Sequence, residues 1–509
     1  MTTGTQTWKA QAIRLAFSCA LLVFGARLLL IQSYGVNLPF YDQWDAEALG
    51  LYVPWLEETL GWSDLLRPHN EHRILLTQLQ NLALFRVTGT WIPLLQQVLN
   101  AGWYSLLCGG LAYLCTLALP GRPAPLLAAG IALLMSAPYG WQNALWGFQS
   151  QHYFSFLLCV FALVLLRPDG ATRARCVGGL SLLAASLFSS GSGTVFAAGI
   201  SAAAAVLAVT RPADRRHAVY VAVGALLVVG GGVLLASHVP AHDSLRARTM
   251  SQFLEVTFRG LAFPNVEFPW TLLVGWIPLL GLTVLAWRHR DVATSPHLGW
   301  VILSLSAIVL LHAASIAYAR GGGLPGNVPL SRYQDQLALG PLVNGIALIL
   351  LWQRIPARSP LLRAATVVWA GAFLIGMLQL SSTNLGVHLP FRALSNETQT
   401  RIFTDYQRSR NAALLEQGGF LELGHLSHRP IRLTLDNPLL ASHLPLPLRT
   451  GGSATGWERS VSVVVSLAPW PLLLVGGLTL CLSAQRLWTR HREQPLHLPP
   501  DANDRTTSV

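Results

Sequence analysis

"VGGLSLLAASLFSSGSGTVFAAGISAAAAVLAVT" runs from Val177 to Thr210. How often it crosses a bilayer fixes the side on which everything after it stands. A helix needs about 20 apolar residues to span the hydrocarbon core. The stretch therefore reads either as one long helix or as two short ones turning at the Ser–Gly break, Ser189 to Gly193. Charge decides between them. The arginines of the loops form short clusters: Arg122; Arg167, Arg173 and Arg175; Arg211, Arg215 and Arg216; Arg288 and Arg290; Arg354, Arg358 and Arg363; and a tail opening with Arg486. With a cytoplasmic N-terminus and two spans over 177–210, every cluster faces the cytoplasm, as the positive-inside bias requires. A single span would put "RPADRRH" (Arg211–His217) outside and invert all that follows.

Working outward, the same threading gives about twelve spans, at about 13–32, 92–118, 123–139, 152–166, 177–190, 194–210, 218–237, 270–287, 297–318, 337–353, 364–382 and 461–484. The chain of 509 residues is 52% hydrophobic and 11% charged, where soluble domains carry roughly 25% charged residues. The expected fold class is an all-α polytopic membrane protein. It has interfacial helices in the first outer loop and a small outer α/β segment near the C-terminus. The net charge of +12 is spread over the inner loops, not gathered into a patch or stripe, so no nucleic-acid partner is expected. The six cysteines form no CxxC pair, which argues against a metal site or disulfide framework. The first apolar run is not followed by a small-residue cleavage site, so it reads as a retained span. The expected organisation is a transmembrane core over 1–382 with outer loop 32–91, a small periplasmic segment over 383–460, and a last span with a basic cytoplasmic tail over 461–509. Both termini are then cytoplasmic, in a bacterial inner membrane.

Polar sequence gathers on the outer side, so the work is expected there. The first outer loop opens with "PFYDQWDAEA" (Pro39–Ala48), three carboxylates beside Tyr41 and Trp44. A carboxylate at the water–lipid boundary is partly desolvated and gains basicity. Asp42 and Asp45, three apart, can divide acid and base roles or share a divalent metal. The competing reading is that both cap the following helix. Residues 46–60 and 71–87 read as helices, the second amphipathic and suited to the interface. "RPHNEHR" (Arg67–Arg73) precedes it. Its HxxH spacing is not the HExxH of metalloprotease helices. His69, Glu71 and His72 suit a polar contact to phosphate or sugar, and Arg73 suits a phosphate.

In "PYGWQNALWGFQSQHYF" (Pro138–Phe154), Gln142 and Asn143 stand among aromatics, a composition that suits sugar or headgroup contact and an aromatic belt equally. "SRYQDQLALGPLV" (Ser331–Val343) sets Arg332 and Tyr333 on the outer side just before a span, against the charge bias. Arg332 needs a partner: a lipid phosphate, Asp335 or Asp42. Inside the apolar runs few polar groups stand out, His312 and Asn344 among them. "RPIRLTL" (Arg429–Leu435) reads as a short β-like piece.

This layout resembles the C-type membrane glycosyltransferases (GT-C). In them a first outer loop carries an acidic motif, interfacial helices and a catalytic aspartate, on a many-spanned core. The resemblance implies transfer of a sugar from a polyprenyl-phosphate-linked donor to a glycan, lipid or protein acceptor, with inversion. It makes Asp42 the base, with Asp45 its neighbour, and sets Arg332, of an Arg-Tyr element similar to the family's, against the carrier phosphate. Trp44 and Tyr41 suit the headgroup level. No cofactor is required beyond a possible divalent metal. One departure is that the outer C-terminal segment is short and lies between the last two spans. The other readings are a transporter or flippase, and an O-antigen-type polymerase or ligase, each acting on lipid-linked glycans.

Overall fold

The computed structural model describes residues 2–288, 295–324, 326, 328–356, 358–425, 427–449 and 452–493; Arg290, Arg358's neighbour at 357, and the tail after Glu493 lie outside them. The described chain is helical throughout, with no β-strand beyond an isolated bridge between His69 and His72. Among the described residues ten helices are long and apolar enough to cross a membrane: Trp8–Tyr34, Pro93–Ala118, Pro123–Leu145, Gly147–Leu166, Ser192–Thr210, Pro212–Leu235, Pro296–Arg320, Ser331–Arg354, Pro360–Ser409 and Pro469–Thr489. An eleventh is the pair Pro269–Gly275 and Ile277–Arg288, bent by 42°. Pro278 sits at the break, where a missing N–H and a ring clash interrupt the ladder.

The expected twelfth span falls short. Arg173–Ser186 has 14 residues, about 21 Å at 1.5 Å per residue, against a hydrocarbon core of about 30 Å. The break is nevertheless real. Arg173–Ser186 and Ser192–Thr210 are separate helices. Their turn lies beside the first loop, where Leu76 N–H donates to the Phe188 carbonyl at 3.3 Å. The short helix thus runs from the arginine end of the bundle to the loop end.

The two ends differ in kind. The described residues of the loops at 35–92, 137–149, 187–191, 236–268, 321–330 and 384–455 meet at one end. Contacts there include His242 with Glu71 at 2.6 Å, Ser331 with Tyr139 at 2.6 Å and Trp91 with His443 at 2.7 Å. At the other end Asp169 pairs with Arg167 at 3.2 Å and His297 at 3.8 Å, and Arg122 lies over Trp488.

Three expectations change. "RPIRLTL" is not β-like: His428–Leu435 is a helix, capped by Ser427. Its Ile431 and Leu435 are buried while Leu433 is 49% exposed. The i, i+4 spacing had a period-2 look because Leu433 lies between them. The outer segment is therefore all helical. The last span starts later than expected: the chain breaks at Ala468, and Gly456–Leu467 precedes Pro469–Glu493 as a separate helix. The loop helix Leu75–Thr88 turns its polar residues Thr77, Gln78 and Asn81 inward with Phe85, while Leu79 and Val87 stay exposed.

The largest change is inside the membrane core. Arg27, in the last third of the first helix, is 1% exposed. Its guanidinium pairs with Asp335 at 3.3 Å and donates to the carbonyls of Gly140 and Met135 at 3.3 and 3.4 Å. It also stacks over the Tyr104 ring at 4.2 Å. Asn143 donates to the other Asp335 oxygen at 2.7 Å. Gly140 is required here: a Cβ would stand 2.2 Å from the Asp335 carboxylate. Removing one member of a buried pair strands the other charge and costs about 3–5 kcal/mol, while an apolar pair of similar volume is often neutral. Arg27→Met or Asp335→Leu alone should therefore lower the melting temperature of detergent-purified protein sharply, and the double variant should recover most of the loss. A double variant as unstable as the worse single one would rule out this pair as the core's electrostatic tie.

Candidate functional site

The acidic motif folds as a tight turn, Tyr41–Gln43, that runs into a π-helix, Trp44–Tyr52. Tyr41 sits at φ +52°, a left-handed conformation costly for a bulky residue and held only where surroundings enforce it. Here Tyr41 N–H donates to the Gly424 carbonyl at 2.9 Å. Gly424 itself has φ +63°, and a Cβ there would press on Gln399 and Phe40. The 383–460 segment thus seats directly on the motif.

The three carboxylates part company. Glu47 points inward and is 2% exposed. It accepts from Asn81 at 2.8 Å, Gln96 at 2.9 Å, Trp91 at 3.0 Å and Gln43 at 3.3 Å. Burial pushes its pKa up to about 7, against the pull of these donors. It is the anchor of the loop. Trp44, expected at a substrate, is fully buried between Trp91 and Phe403 and belongs to the same core.

Asp42 and Asp45 remain on the other face. Asp42 Oδ2 lies 3.6 Å from His69 Nε2, both side chains about four-fifths covered. Burial and the Asp42 charge raise the Asp45 pKa, while His69 and His425 pull it down. Burial works against a charged His69 ring, but Asp42, then Asp45 and Glu71, outweigh it and raise its pKa.

"HNEH" is a turn, not a helix start. His69 and His72 exchange backbone hydrogen bonds of 2.8 and 3.1 Å, and Asn70 takes φ +52°. The turn sends its side chains apart. His69 goes to Asp42 and packs on Phe148. His72 lies against Gly191, and burial lowers its pKa. Glu71 is taken by Arg320, through both carboxylate oxygens at 3.0 and 3.1 Å, and by His242. These partners outweigh burial and hold the Glu71 pKa down at about 2. Arg73 donates to the Leu66 carbonyl.

Arg332 is placed by backbone. Its N–H donates to Gln142 Oε1 at 3.2 Å, and its carbonyl accepts from Asn143 at 2.9 Å. Its guanidinium lies over the Tyr333 ring at 5.1 Å, and Tyr333 also bonds Arg320. Of the partners open to Arg332, Asp335 is taken by Arg27.

Arg332, Gln142 and Tyr41 line a cavity of about 660 Å³. Trp141, Trp146, Phe268, Leu380 and Phe391 give it an apolar wall, and Ser331, Gln334, His388 and Arg392 give it polar points. Asp42 follows Tyr41 directly. The Asp42–His69 pair thus adjoins the cavity through Tyr41 without lining it, while Trp44, Arg73 and Glu71 serve the scaffold around it. Among the described residues no three His, Cys, Asp or Glu side chains stand close enough to hold a metal ion. The sequence reading passed over Arg392 and His388. The sign was available, since Arg392 opens an outer segment against the positive-inside bias, as Arg332 does. No family model, curated protein or solved structure matches the chain.

The Glu71 contacts give a pH signature. A depressed carboxylate pKa contributes stability above the unfolded value of about 4.5 and loses it as pH falls toward 2. Glu71→Gln should melt below the wild type at pH 7, and the gap should narrow steadily as pH falls below about 4.5. A gap independent of pH would mean that Glu71 acts by shape and not by charge.

Proposed function

We propose that the protein transfers a sugar from a polyprenyl-phosphate-linked donor to a glycan, lipid or protein acceptor at the outer face of a bacterial inner membrane. The loop end then faces out, and the arginine end and both termini face the cytoplasm. One observation carries the reading: a largely apolar cavity at the loop end holds an arginine without an ion pair among the described residues, Arg332, and adjoins the Asp42–His69 corner through Tyr41.

The chemistry is an inverting displacement. Asp42 takes the proton of an acceptor hydroxyl. The oxygen attacks C1 of the sugar, the C1–O bond to phosphate breaks, and the phosphate leaves with the electron pair. Arg332 steadies that negative charge. His69 orients Asp42, and the Asp45 carboxyl lies beside it. Gln142 and Asn143 position Arg332 through its backbone. The apolar wall suits the first isoprene units of the carrier.

A polymerase or ligase of lipid-linked glycans is the second reading, favoured by the docking of 383–460 on the motif at Gly424. A transporter is less well supported, because the charged pair inside the core, Arg27–Asp335, is locked at 1% and 2% exposure.

Purified protein given polyprenyl-phosphate sugars should transfer the sugar, and Asp42→Asn should lose about 10²–10⁴-fold in rate while eluting as a monodisperse peak. Equal rates would move the base to Asp45. Transfer of oligosaccharides alone, from diphosphate carriers, would favour the polymerase or ligase.

A further inference from the structure

Arg392 has no role in the chemistry above, yet it is the most unusual cation of the loop end. It is 7% exposed. Its guanidinium lies 3.6 Å from the centroid of the Phe40 ring. Among the described residues it has no ion pair and no hydrogen bond to a protein group; the carboxylate on the same cavity wall, Glu267, is exposed and accepts from Gln379 at 3.1 Å. The charge of a buried guanidinium costs several kcal/mol to hold without a counter-charge, and stacking on one ring offsets a minor part. The other deeply buried arginines of the described chain each have a carboxylate: Arg27 has Asp335, and Arg449 has Glu458. Arg392 has instead an open side, because it lines the same 660 Å³ cavity as Arg332.

We propose that Arg392 is a second anion-binding residue of this cavity, and that the cavity takes a phosphomonoester or phosphodiester headgroup on an apolar tail, held between Arg332 and Arg392. This deepens the donor reading by assigning the headgroup two cations from separate elements. Arg332 comes from the Ser331–Leu337 helix. Arg392 comes from the first turns of Leu389–Ser409, in the segment that seats on the motif. A planar guanidinium forks onto two phosphate oxygens. Its stacking partner, Phe40, precedes Tyr41 and Asp42, so a headgroup bound to Arg392 presses on the residues that lead into the base. Trp141, Leu145, Leu380 and Phe391 accept the tail. Neither a free phosphate nor a neutral prenyl alcohol satisfies both halves.

The test is equilibrium binding to the detergent-purified full chain, by thermophoresis, with three probes: farnesyl phosphate, farnesol and inorganic phosphate. Farnesyl phosphate should bind at least tenfold more tightly than either of the others. Arg392→Gln should weaken it tenfold or more, the scale expected for lost hydrogen bonds to a charged group. Arg392→Lys keeps the charge without the fork and should weaken it less. Inorganic phosphate binding as tightly as the prenyl phosphate would overturn the amphiphile. Arg392→Gln binding as the wild type does would overturn the role of Arg392, and if that variant does not fold, Arg392→Lys with unchanged affinity does the same. The readout needs no sugar transfer. Arg392-dependent binding in a protein that transfers nothing would remove the transferase reading and keep this site; transfer with binding indifferent to Arg392 would do the reverse.

Discussion

The Arg27–Asp335 pair is the constraint on which the loop end depends. Arg27 belongs to the first helix, Asp335 to the helix that carries Arg332, and the carbonyls of Met135 and Gly140 to the break within the third span. In a low-dielectric core each of these groups is expensive alone and acceptable together. Asn143 then bonds both the Asp335 carboxylate and the Arg332 carbonyl. The position of the cavity's arginine is therefore fixed from beneath, by a network closed to solvent, while its guanidinium rests on the Tyr333 ring at the cavity wall with no ion pair among the described residues. Gly140 follows from the same geometry, since any side chain there would displace the carboxylate.

A second network does the same work for the acidic motif. Glu47 collects donors from the loop helix, from Trp91 and from the second span. Around it Trp44, Tyr52, Phe85, Phe403 and Leu435 form a core outside the bundle. Burial of these aromatics is worth far more than any one surface ion pair. One consequence is that 383–460 is part of the same folded body as the first loop, not an appendage. The strained Tyr41 and the left-handed Gly424 mark the seam where the two meet.

Much of this was legible in the chain. The arginine clusters and the Ser–Gly break called for two helices over 177–210, and the structure has two there, although the first is too short to stand among the span-length helices. Asp42, His69 and Arg332 are residues that stood out by charge in apolar or outward places. What escaped was set by tertiary contact. Arg27 hid within "FGARLLL" because hydropathy averages over a window and one arginine hardly lowers it. Yet a charge at that depth is expensive and calls for a partner, and Asp335 was the acidic residue nearest a span. Trp44 was placed at the headgroup level by residue type, but its neighbours bury it. "HNEH" was read for its side chains, when its backbone turn decides that they diverge. "RPIRLTL" misled because alternation and helical spacing share every fourth residue.

The separation of charge at the loop end bears on why carboxylates stand at the mouth of the first span. Asp42 and Asp45 are near neighbours: burial and the Asp42 charge raise the Asp45 pKa, while His69 and His425 pull it down. On the far side of Tyr41 the cavity holds Arg332 and Arg392 without carboxylate partners among the described residues. An anion entering the cavity lowers the positive potential felt at the acidic corner. That lets Asp45 hold a proton more readily, the direction in which the proposed transfer would use the acidic corner. In this arrangement the tyrosine between the two groups is more than a spacer. Its left-handed backbone, bonded to the outer segment through Gly424, sets how the acidic corner stands against the cavity.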